Sequence, residues 1–138
     1  MNYWLAKSEP SKYSWDDFER DGSTYWDGVR NYQARNNLAA MAKGDRVLFY
    51  HSNEGKEVVG IACVTRTAYP DPTTDDDGWL VVDLEPFKKL PQSVSLAAIK
   101  DNPTLSEVAL IRQSRLSVLP LTDTEFKEIL SMGKARRR

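Results

Sequence analysis

The side chains that could perform catalysis are few, and their spacing does not favour it. His51 and Ser52 are the only adjacent pair that resembles a general base and a nucleophile. They lie in a segment with the apolar alternation of a strand, in which consecutive side chains point to opposite faces of the sheet. The two side chains therefore cannot hydrogen-bond to each other as a catalytic dyad does. We predict that His51 is a structural histidine at the end of a strand.

Patterns for metals and nucleotide cofactors are missing from the sequence. One cysteine, Cys63, and one histidine cannot form a multi-cysteine zinc or iron–sulfur site. Three consecutive aspartates at 75–77 do not match an EF-hand loop, which spaces its ligands at alternate positions and closes with a glutamate. The glycines are isolated, so they form neither a phosphate-binding loop nor a dinucleotide fingerprint. We expect no catalytic residue, no metal and no cofactor.

The most unusual polar stretch runs from Trp26 to Asn37 (WDGVRNYQARNN). It places an aromatic ring, a guanidinium and several amides at the entrance of a helix predicted to start near Gln33. Free backbone N–H groups at a helix N-terminus can bind an anion. The planar guanidinium of Arg30 can also donate two hydrogen bonds to a phosphate or a base edge. Such groups suit an unstacked nucleobase. The same residues also fit buried aromatics with polar caps, so the stretch alone leaves both interpretations open.

Short helices and strands must position these residues. Hydrophobic periodicity predicts strands over residues 2–7, 45–52, 57–68, 79–87 and 115–119, the second and third joined by a turn at 53–56. Helices are predicted after Ser14, over 33–42, after Ser95, over 104–111, and from the capping box of Thr122 and Glu125 to Gly133. The irregular alternation of strands and helices predicts an α+β fold, in which a curled mixed sheet or small barrel is flanked by short helices.

Composition limits the classes of protein. A chain of 138 residues, 41% of them apolar, can bury one ordinary core. Its longest apolar run, residues 58–64, is far shorter than the roughly 20 residues of a membrane-spanning helix. The charged N-terminal segment does not resemble a secretory leader, so we expect a cytoplasmic protein without a membrane partner.

Charge is distributed unevenly along the chain. The net charge is −1, but the four cations of residues 134–138 leave −5 on residues 1–133. Residues 1–133 are too acidic for a protein that binds duplex nucleic acid over a broad surface. A small, locally positive binding site remains compatible with this charge. The tail follows Gly133 without an apolar anchor, so we predict that it is mobile.

Six motifs carry a resemblance to a known family. They are YWLAKSEP (3–10), YSWDDF (13–18), WDGVRNYQARN (26–36), GDRVLFYHS (44–52), YPDPT (69–73) and RLSVLPL (115–121). Together, and in this order over nearly the whole chain, they resemble the EVE domain family. Residues 1–133 are thereby identified as a single EVE domain, followed by the basic tail 134–138.

The resemblance implies a PUA-like mixed β pseudo-barrel flanked by short helices and related to YTH and ASCH domains. It implies a nucleic-acid-binding module that reads a modified base flipped into an aromatic and polar pocket. The lack of a credible nucleophile–base pair, metal set or phosphate loop favours a non-enzymatic module, and we expect a monomer. The expected ligand is modified cytosine, such as 5-methylcytosine, in DNA rather than RNA. An enzyme acting on a nucleotide or small metabolite, and a protein–protein adaptor, remain the alternatives.

Carried over by motif, the resemblance also implies a set of pocket residues. Glu9, Asn31 and Ser52 supply hydrogen-bonding groups for the base edges. Trp26 and Tyr50 supply stacking surfaces, which are worth roughly 1–3 kcal/mol per stacked base. Arg30 is assigned to a backbone phosphate or the pocket rim. The full expected set is Lys7, Ser8, Glu9, Pro10, Trp26, Asp27, Val29, Arg30, Asn31, Tyr50, His51 and Ser52.

Overall fold

Six strands form one mixed sheet, and short helices flank it, in the computed structural model, which describes residues 1–135. The strands are β1 (Tyr3–Ser8), β2 (Thr24–Tyr25), β3 (Arg46–His51), β4 (Glu57–Pro70), β5 (Leu80–Ser95) and β6 (Val118–Leu121). The helices are α1 (Trp15–Asp21), α2 (Tyr32–Ala40), α3 (Leu96–Asp101), α4 (Ala109–Arg112) and α5 (Asp123–Met132), with a 3₁₀ turn at Pro103–Leu105. The predicted α+β class is confirmed.

The order of the strands brings two distant chain segments side by side. It is β2-β5-β4-β3-β1-β6, with β1 and β3 parallel and the other neighbours antiparallel. Lys7 pairs with Tyr50, and Ser8 pairs with His51, at the carboxyl ends of the parallel pair. Among the described residues the sheet ends at β2 and β6, so the expected pseudo-barrel is an open sheet rather than a closed one.

The structure differs most from the predicted elements in four places. Strand β6 runs over Val118–Leu121 rather than over 115–119. The two-residue strand β2 was not predicted, because it exists only through pairing of Thr24 with Leu84. Strand β5 continues beyond Phe87 to Ser95, and register shifts along its pairing with β4 accommodate its prolines. The helix predicted over 104–111 is divided into the 3₁₀ turn and α4.

An aromatic cluster centred on Phe49 of β3 joins the N-terminal segments to the sheet. The rings of Trp15, Phe18 and Trp26 each lie 5.4 Å from Phe49 between centroids. Ser14 caps α1 as predicted, and the structure adds a capping box with Asp17; Trp15 and Phe18 of this helix are buried. Much of the aromatic content of the first 32 residues therefore serves packing.

The described part of the C-terminal segment is hydrogen-bonded. After α5, the Lys134 N–H donates to the Ser131 carbonyl at 3.0 Å, and the Ala135 N–H donates to the Leu130 carbonyl at 2.9 Å. The predicted mobile tail covers 134–138, and its last three residues lie outside the described residues. Within residues 1–135, no helix has the length and apolar character needed to span a membrane.

Candidate base-binding site

A cavity of about 510 Å³ opens beside the carboxyl end of β1, and we call it the main cavity. Three segments line it: residues 7–9, residues 12–13 and residues 24–28. The first and second are joined because the Ser8 hydroxyl donates to the Tyr13 carbonyl at 2.5 Å. The main cavity therefore brings together five of the expected residues: Lys7, Ser8, Glu9, Trp26 and Asp27.

One wall of the main cavity is a strap, defined as residues 24–30. The Trp26 N–H donates to the Val82 carbonyl at 2.8 Å, which fixes the strap to β5. The Trp26 ring packs edge-on against Phe49 and is 8% exposed. Trp26 is thus both a core residue and part of the cavity lining.

Asp71 holds the far end of the strap. Its side chain is fully buried and accepts hydrogen bonds from Arg30 Nη1 at 3.0 Å and from the Gly28 N–H at 3.4 Å. The Thr73 N–H and hydroxyl donate to its other oxygen. Burial alone raises the pKa of the Asp71 carboxyl, but the hydrogen bonds from Thr73, Arg30 and Gly28 together lower the pKa below its ordinary value of 3.8.

The charges of the main cavity are mixed. Lys7 and Lys12 face Glu9 and Asp27, so each sign is present twice. The Glu9 carboxylate lies 3.8 Å from the Lys12 ammonium. The Lys7 ammonium donates to the Ser114 carbonyl at 2.8 Å, and burial lowers its pKa. This balance suits a neutral ligand with donors and acceptors better than it suits a free anion.

Tyr50 and Ser52 lie in a smaller cavity of about 230 Å³ next to the main one, which we call the lysine cavity. Lys7 lines both cavities. Tyr50 is 3% exposed, and burial raises the pKa of its hydroxyl. The predicted pocket segments 7–10 and 50–52 are therefore neighbours, but Tyr50 does not face the same space as Trp26.

The structure places His51 on the other side of β3. It lines a cavity with Trp15 and Glu57, and its Nε2 accepts a hydrogen bond from the Trp15 N–H at 3.1 Å. Burial is the largest influence on the pKa of His51 and lowers it, so the ring is neutral near pH 7. His51 lines neither the main cavity nor the lysine cavity, because strand alternation turns it away from Tyr50 and Ser52.

Four other expected residues also lie outside the main cavity. Val29 is 5% exposed and belongs to the core. Arg30 forms an ion pair with Asp71, and its guanidinium lies 5.6 Å from the centre of the Trp79 ring. Pro10 is half-buried but does not line the cavity. Asn31 lines a separate polar cavity, and its side-chain oxygen caps α2 by accepting from the Ala34 N–H at 2.9 Å.

Sequence reasoning missed several lining residues. Lys12, Tyr13 and Tyr25 contribute to the main cavity. Eight of the fourteen aromatic residues fall within the first 32 positions, and this concentration was the available signal for the two tyrosines. Asn53 and Lys56 line the lysine cavity, but the sequence pattern identified them only as turn residues. Among residues 1–135, no group of three or more His, Cys, Asp and Glu side chains is arranged to hold a metal ion.

Comparisons with known proteins agree with the fold and the motifs. The EVE domain family model matches residues 2–132, which confirms the resemblance carried by the six motifs. Thymocyte nuclear protein 1 of Rattus norvegicus is 36% identical over 97% of this chain and 74% of its own length. A solved protein of Agrobacterium tumefaciens is 47% identical, with a TM-score of 0.98 over 100% of this chain and 97% of that one.

One relative has been solved with nucleic acid. It is the human THYN1 protein in complex with DNA containing 5-methylcytosine, 32% identical, with a TM-score of 0.91 over 99% of this chain and 100% of that one. A YTH domain of Zygosaccharomyces rouxii, in complex with N6-methyladenosine RNA, is 16% identical with a TM-score of 0.62 over 99% of this chain and 88% of that one. At that identity the likeness concerns the fold alone.

The expectation of a cytoplasmic protein is contradicted. The relatives from rat, mouse and human are all named thymocyte nuclear protein 1, which points to the nucleus. The inference failed because an N-terminus unlike a secretory leader argues only against secretion. It does not distinguish the cytoplasm from the nucleus.

Proposed function

Because this chain belongs to the EVE domain family, we propose that it is a non-enzymatic module that binds DNA and reads a modified cytosine flipped into the main cavity. The observation that carries the proposal is the main cavity itself, which has an aromatic wall and charges of both signs. The relative solved with 5-methylcytosine-containing DNA supports the choice of ligand.

The size and chemistry of the main cavity suit a single base. A volume of about 510 Å³ lies within the range of sites that enclose small molecules. Cytosine presents an exocyclic amine that donates, and a ring nitrogen and a carbonyl oxygen that accept, so a pocket that reads it needs both kinds of partner. Glu9 and Asp27 supply acceptors, and Lys7 supplies a donor.

Stacking against the strap provides affinity without a strongly basic surface. A stacked base contributes roughly 1–3 kcal/mol, comparable to the few kcal/mol that extrusion from a duplex costs. A methyl group that fits the cavity adds about 0.8 kcal/mol. Selectivity for a methylated cytosine over cytosine is then about fourfold.

The polar groups near the cavity support binding rather than catalysis. His51 uses Nε2 to accept from the Trp15 N–H, so it is not positioned to activate Ser52. The Ser8 hydroxyl is committed to the Tyr13 carbonyl. We therefore assign Glu9 and Lys7 to base recognition rather than to proton transfer.

Binding across a matched panel tests the proposal. The panel contains duplex DNA and RNA of one sequence with cytosine, 5-methylcytosine or 5-hydroxymethylcytosine at one position, measured by fluorescence anisotropy at fixed salt. We expect tighter binding of a modified DNA duplex, by about fourfold or more for the methyl group. Equal affinity for all members would overturn the base-reader proposal.

Product analysis tests the non-enzymatic part of the proposal. The same oligonucleotides and free nucleotides, incubated with the protein and analysed by mass spectrometry, should return unchanged. Conversion that is lost in Glu9→Gln would show an enzyme. Phe87→Ala is the matched control, because Phe87 is 46% exposed and does not line the main cavity.

A further inference from the structure

The lysine cavity has a lining that differs in kind from that of the main cavity. Six of its lining residues are polar, and two are leucines. The polar residues are Lys7, Tyr50, Ser52, Asn53, Lys56 and Ser114. None carries a carboxylate, whereas the main cavity contains Glu9 and Asp27. Two ammonium groups with several hydroxyl and amide donors form a set that favours an anion.

The acidic residues nearest in sequence do not enter this cavity. Glu54 and Glu57 lie on either side of Lys56 along the chain, yet neither lines the cavity. Glu57 faces the cavity of His51 on the other side of β3. The positive charge of the lysine cavity is therefore not cancelled within its own lining.

The turn between β3 and β4 is held so that its residues form the rim. Asn53 and Lys56 have φ angles of 65° and 47°, in the left-handed region that non-glycine residues rarely occupy. The Lys56 carbonyl accepts from the Leu96 N–H at 2.8 Å, which fixes the turn to the start of α3. Backbone conformations of this kind persist only where surrounding contacts impose them.

Tyr50 contributes a hydroxyl to the lysine cavity. The residue as a whole is 3% exposed, and it lines this cavity beside Ser52. A phenol hydroxyl can donate a hydrogen bond to an anionic oxygen. A ligand oxygen in the lysine cavity would accept that hydrogen bond.

Lys7 connects this cavity to the proposed base site. It lines both cavities, and its ammonium donates one hydrogen bond to the Ser114 carbonyl, leaving two further N–H groups. A volume of about 230 Å³ is below the usual range for a whole small-molecule ligand, so a group smaller than a nucleoside fits best.

We propose that the lysine cavity binds one backbone phosphodiester of the DNA, next to the base that occupies the main cavity. The inference rests on the proposed function, because the base in the main cavity defines which phosphate reaches Lys56 and Tyr50. The two cavities then hold one nucleotide by its two chemically distinct ends, a neutral base and an anionic linkage.

The phosphate assignment is tested by combining a lysine variant of the protein with DNA in which one phosphate is replaced by an uncharged linkage. The probes are duplexes with one 5-methylcytosine and a neutral methylphosphonate linkage on either its 5′ or its 3′ side. Lys56→Gln should weaken binding of the all-phosphate duplex about fivefold at 0.15 M salt and lower the salt slope by about 0.9. On one of the two methylphosphonate duplexes, Lys56→Gln should have almost no further effect.

Two other variants complete the test. Tyr50→Phe removes only the hydroxyl and should weaken the all-phosphate duplex while leaving the neutral one unchanged. Lys43→Gln is the control for net charge, because Lys43 precedes β3 at the opposite end from the lysine cavity. Lys43→Gln should leave the affinity for the all-phosphate duplex unchanged. It should also leave unchanged the difference in affinity between that duplex and each methylphosphonate duplex.

The outcomes separate this inference from the proposed function. If the protein selects 5-methylcytosine but Lys56→Gln weakens all three duplexes equally, the phosphate assignment is overturned. If 5-methyl-dCMP competes as strongly as the duplex, the anion is that of a free nucleotide, which also overturns it. Equal affinity for methylated and unmethylated duplexes overturns the proposed function and this inference with it.

Discussion

Trp26 contributes both to the stability of the protein and to the proposed ligand site. Its ring is packed against Phe49 and also borders the main cavity, so one side chain contributes to the core and to the candidate site. Arg30 and Asp71 make a similar connection, because their ion pair fixes the strap on which Trp26 lies. Substitutions here should be measured for folding and for selectivity together.

Trp26→Ala should reduce both properties. Removal of a buried tryptophan costs about 3–5 kcal/mol of unfolding free energy, and loss of the stacking surface weakens binding by roughly 1–3 kcal/mol. Trp26→Phe keeps an aromatic face and should retain most selectivity. The ratio of affinities for methylated and unmethylated duplexes does not depend on the folded fraction, and an unchanged ratio in Trp26→Ala would show a purely structural role.

Asp71→Asn should destabilise the protein near neutral pH and lose that effect in acid. The variant removes the negative charge of a buried carboxylate that accepts a hydrogen bond from Arg30. This loss costs about 1–3 kcal/mol of unfolding free energy. Because the folded-state pKa of Asp71 is lowered, its contribution is complete above the ordinary value of 3.8 and disappears as pH falls through the folded pKa.

Urea denaturation of wild type and Asp71→Asn at pH 7 and at successive values below pH 4 measures this contribution. The difference in unfolding free energy between the two proteins should shrink as pH falls. A difference that stays constant with pH would mean that the carboxylate charge contributes nothing to stability.

At the scale of elements, α1 is placed by a close approach to the sheet. Gly60 of β4 faces the Trp15 ring, and a Cβ at that position would lie 2.5 Å from the nearest ring carbon. Trp15 in turn packs on Phe18 and Phe49. The glycine is required by space rather than by an unusual backbone angle, because its φ is not in the left-handed region.

Gly60→Ala should therefore lower the free energy of unfolding by about 1–3 kcal/mol through overpacking. Gly78→Ala is the matched control, since its nearest contact is an exposed Asp76 oxygen at 3.4 Å. Thermal melts of the two variants measure the difference. Equal melting temperatures would show that α1 moves away from the sheet without cost.

At the scale of the whole molecule, the charge distribution sets how strongly binding depends on salt. The body of the chain is acidic, and the four cations of residues 134–138 are separated in sequence from the residues of the main cavity. Phosphate contacts change affinity without distinguishing one base from another. The tail and the main cavity should therefore affect different measured quantities.

Deletion of residues 136–138 should leave selectivity for the modified base unchanged. If the three arginines contact a duplex, the salt slope falls by up to about 2.7, and if they only aid solubility it does not change. Anisotropy titrations from 50 to 200 mM salt provide the slope. A loss of base selectivity on deletion would contradict the separation of the two roles.

The sequence by itself determined the local features of this protein. Helix caps at Ser14 and Thr122, the hairpin of β3 and β4, and the strand alternation that separates His51 from Ser52 all depend on residues close together in the chain. The six motifs placed the chain in its family, and they located two of the segments that form the main cavity. Short-range interactions and spacing carry this information, so no tertiary contact was needed.

Only the tertiary structure decided which of these residues share a cavity. Lys7 and Lys56 line one cavity because β1 and β3 pair in parallel, and the strap borders the same cavity as residues 7–9 because it is fixed to Val82 and Asp71. The same packing buried Val29 in the core. These placements depend on contacts between residues more than 40 positions apart, which local pattern does not encode.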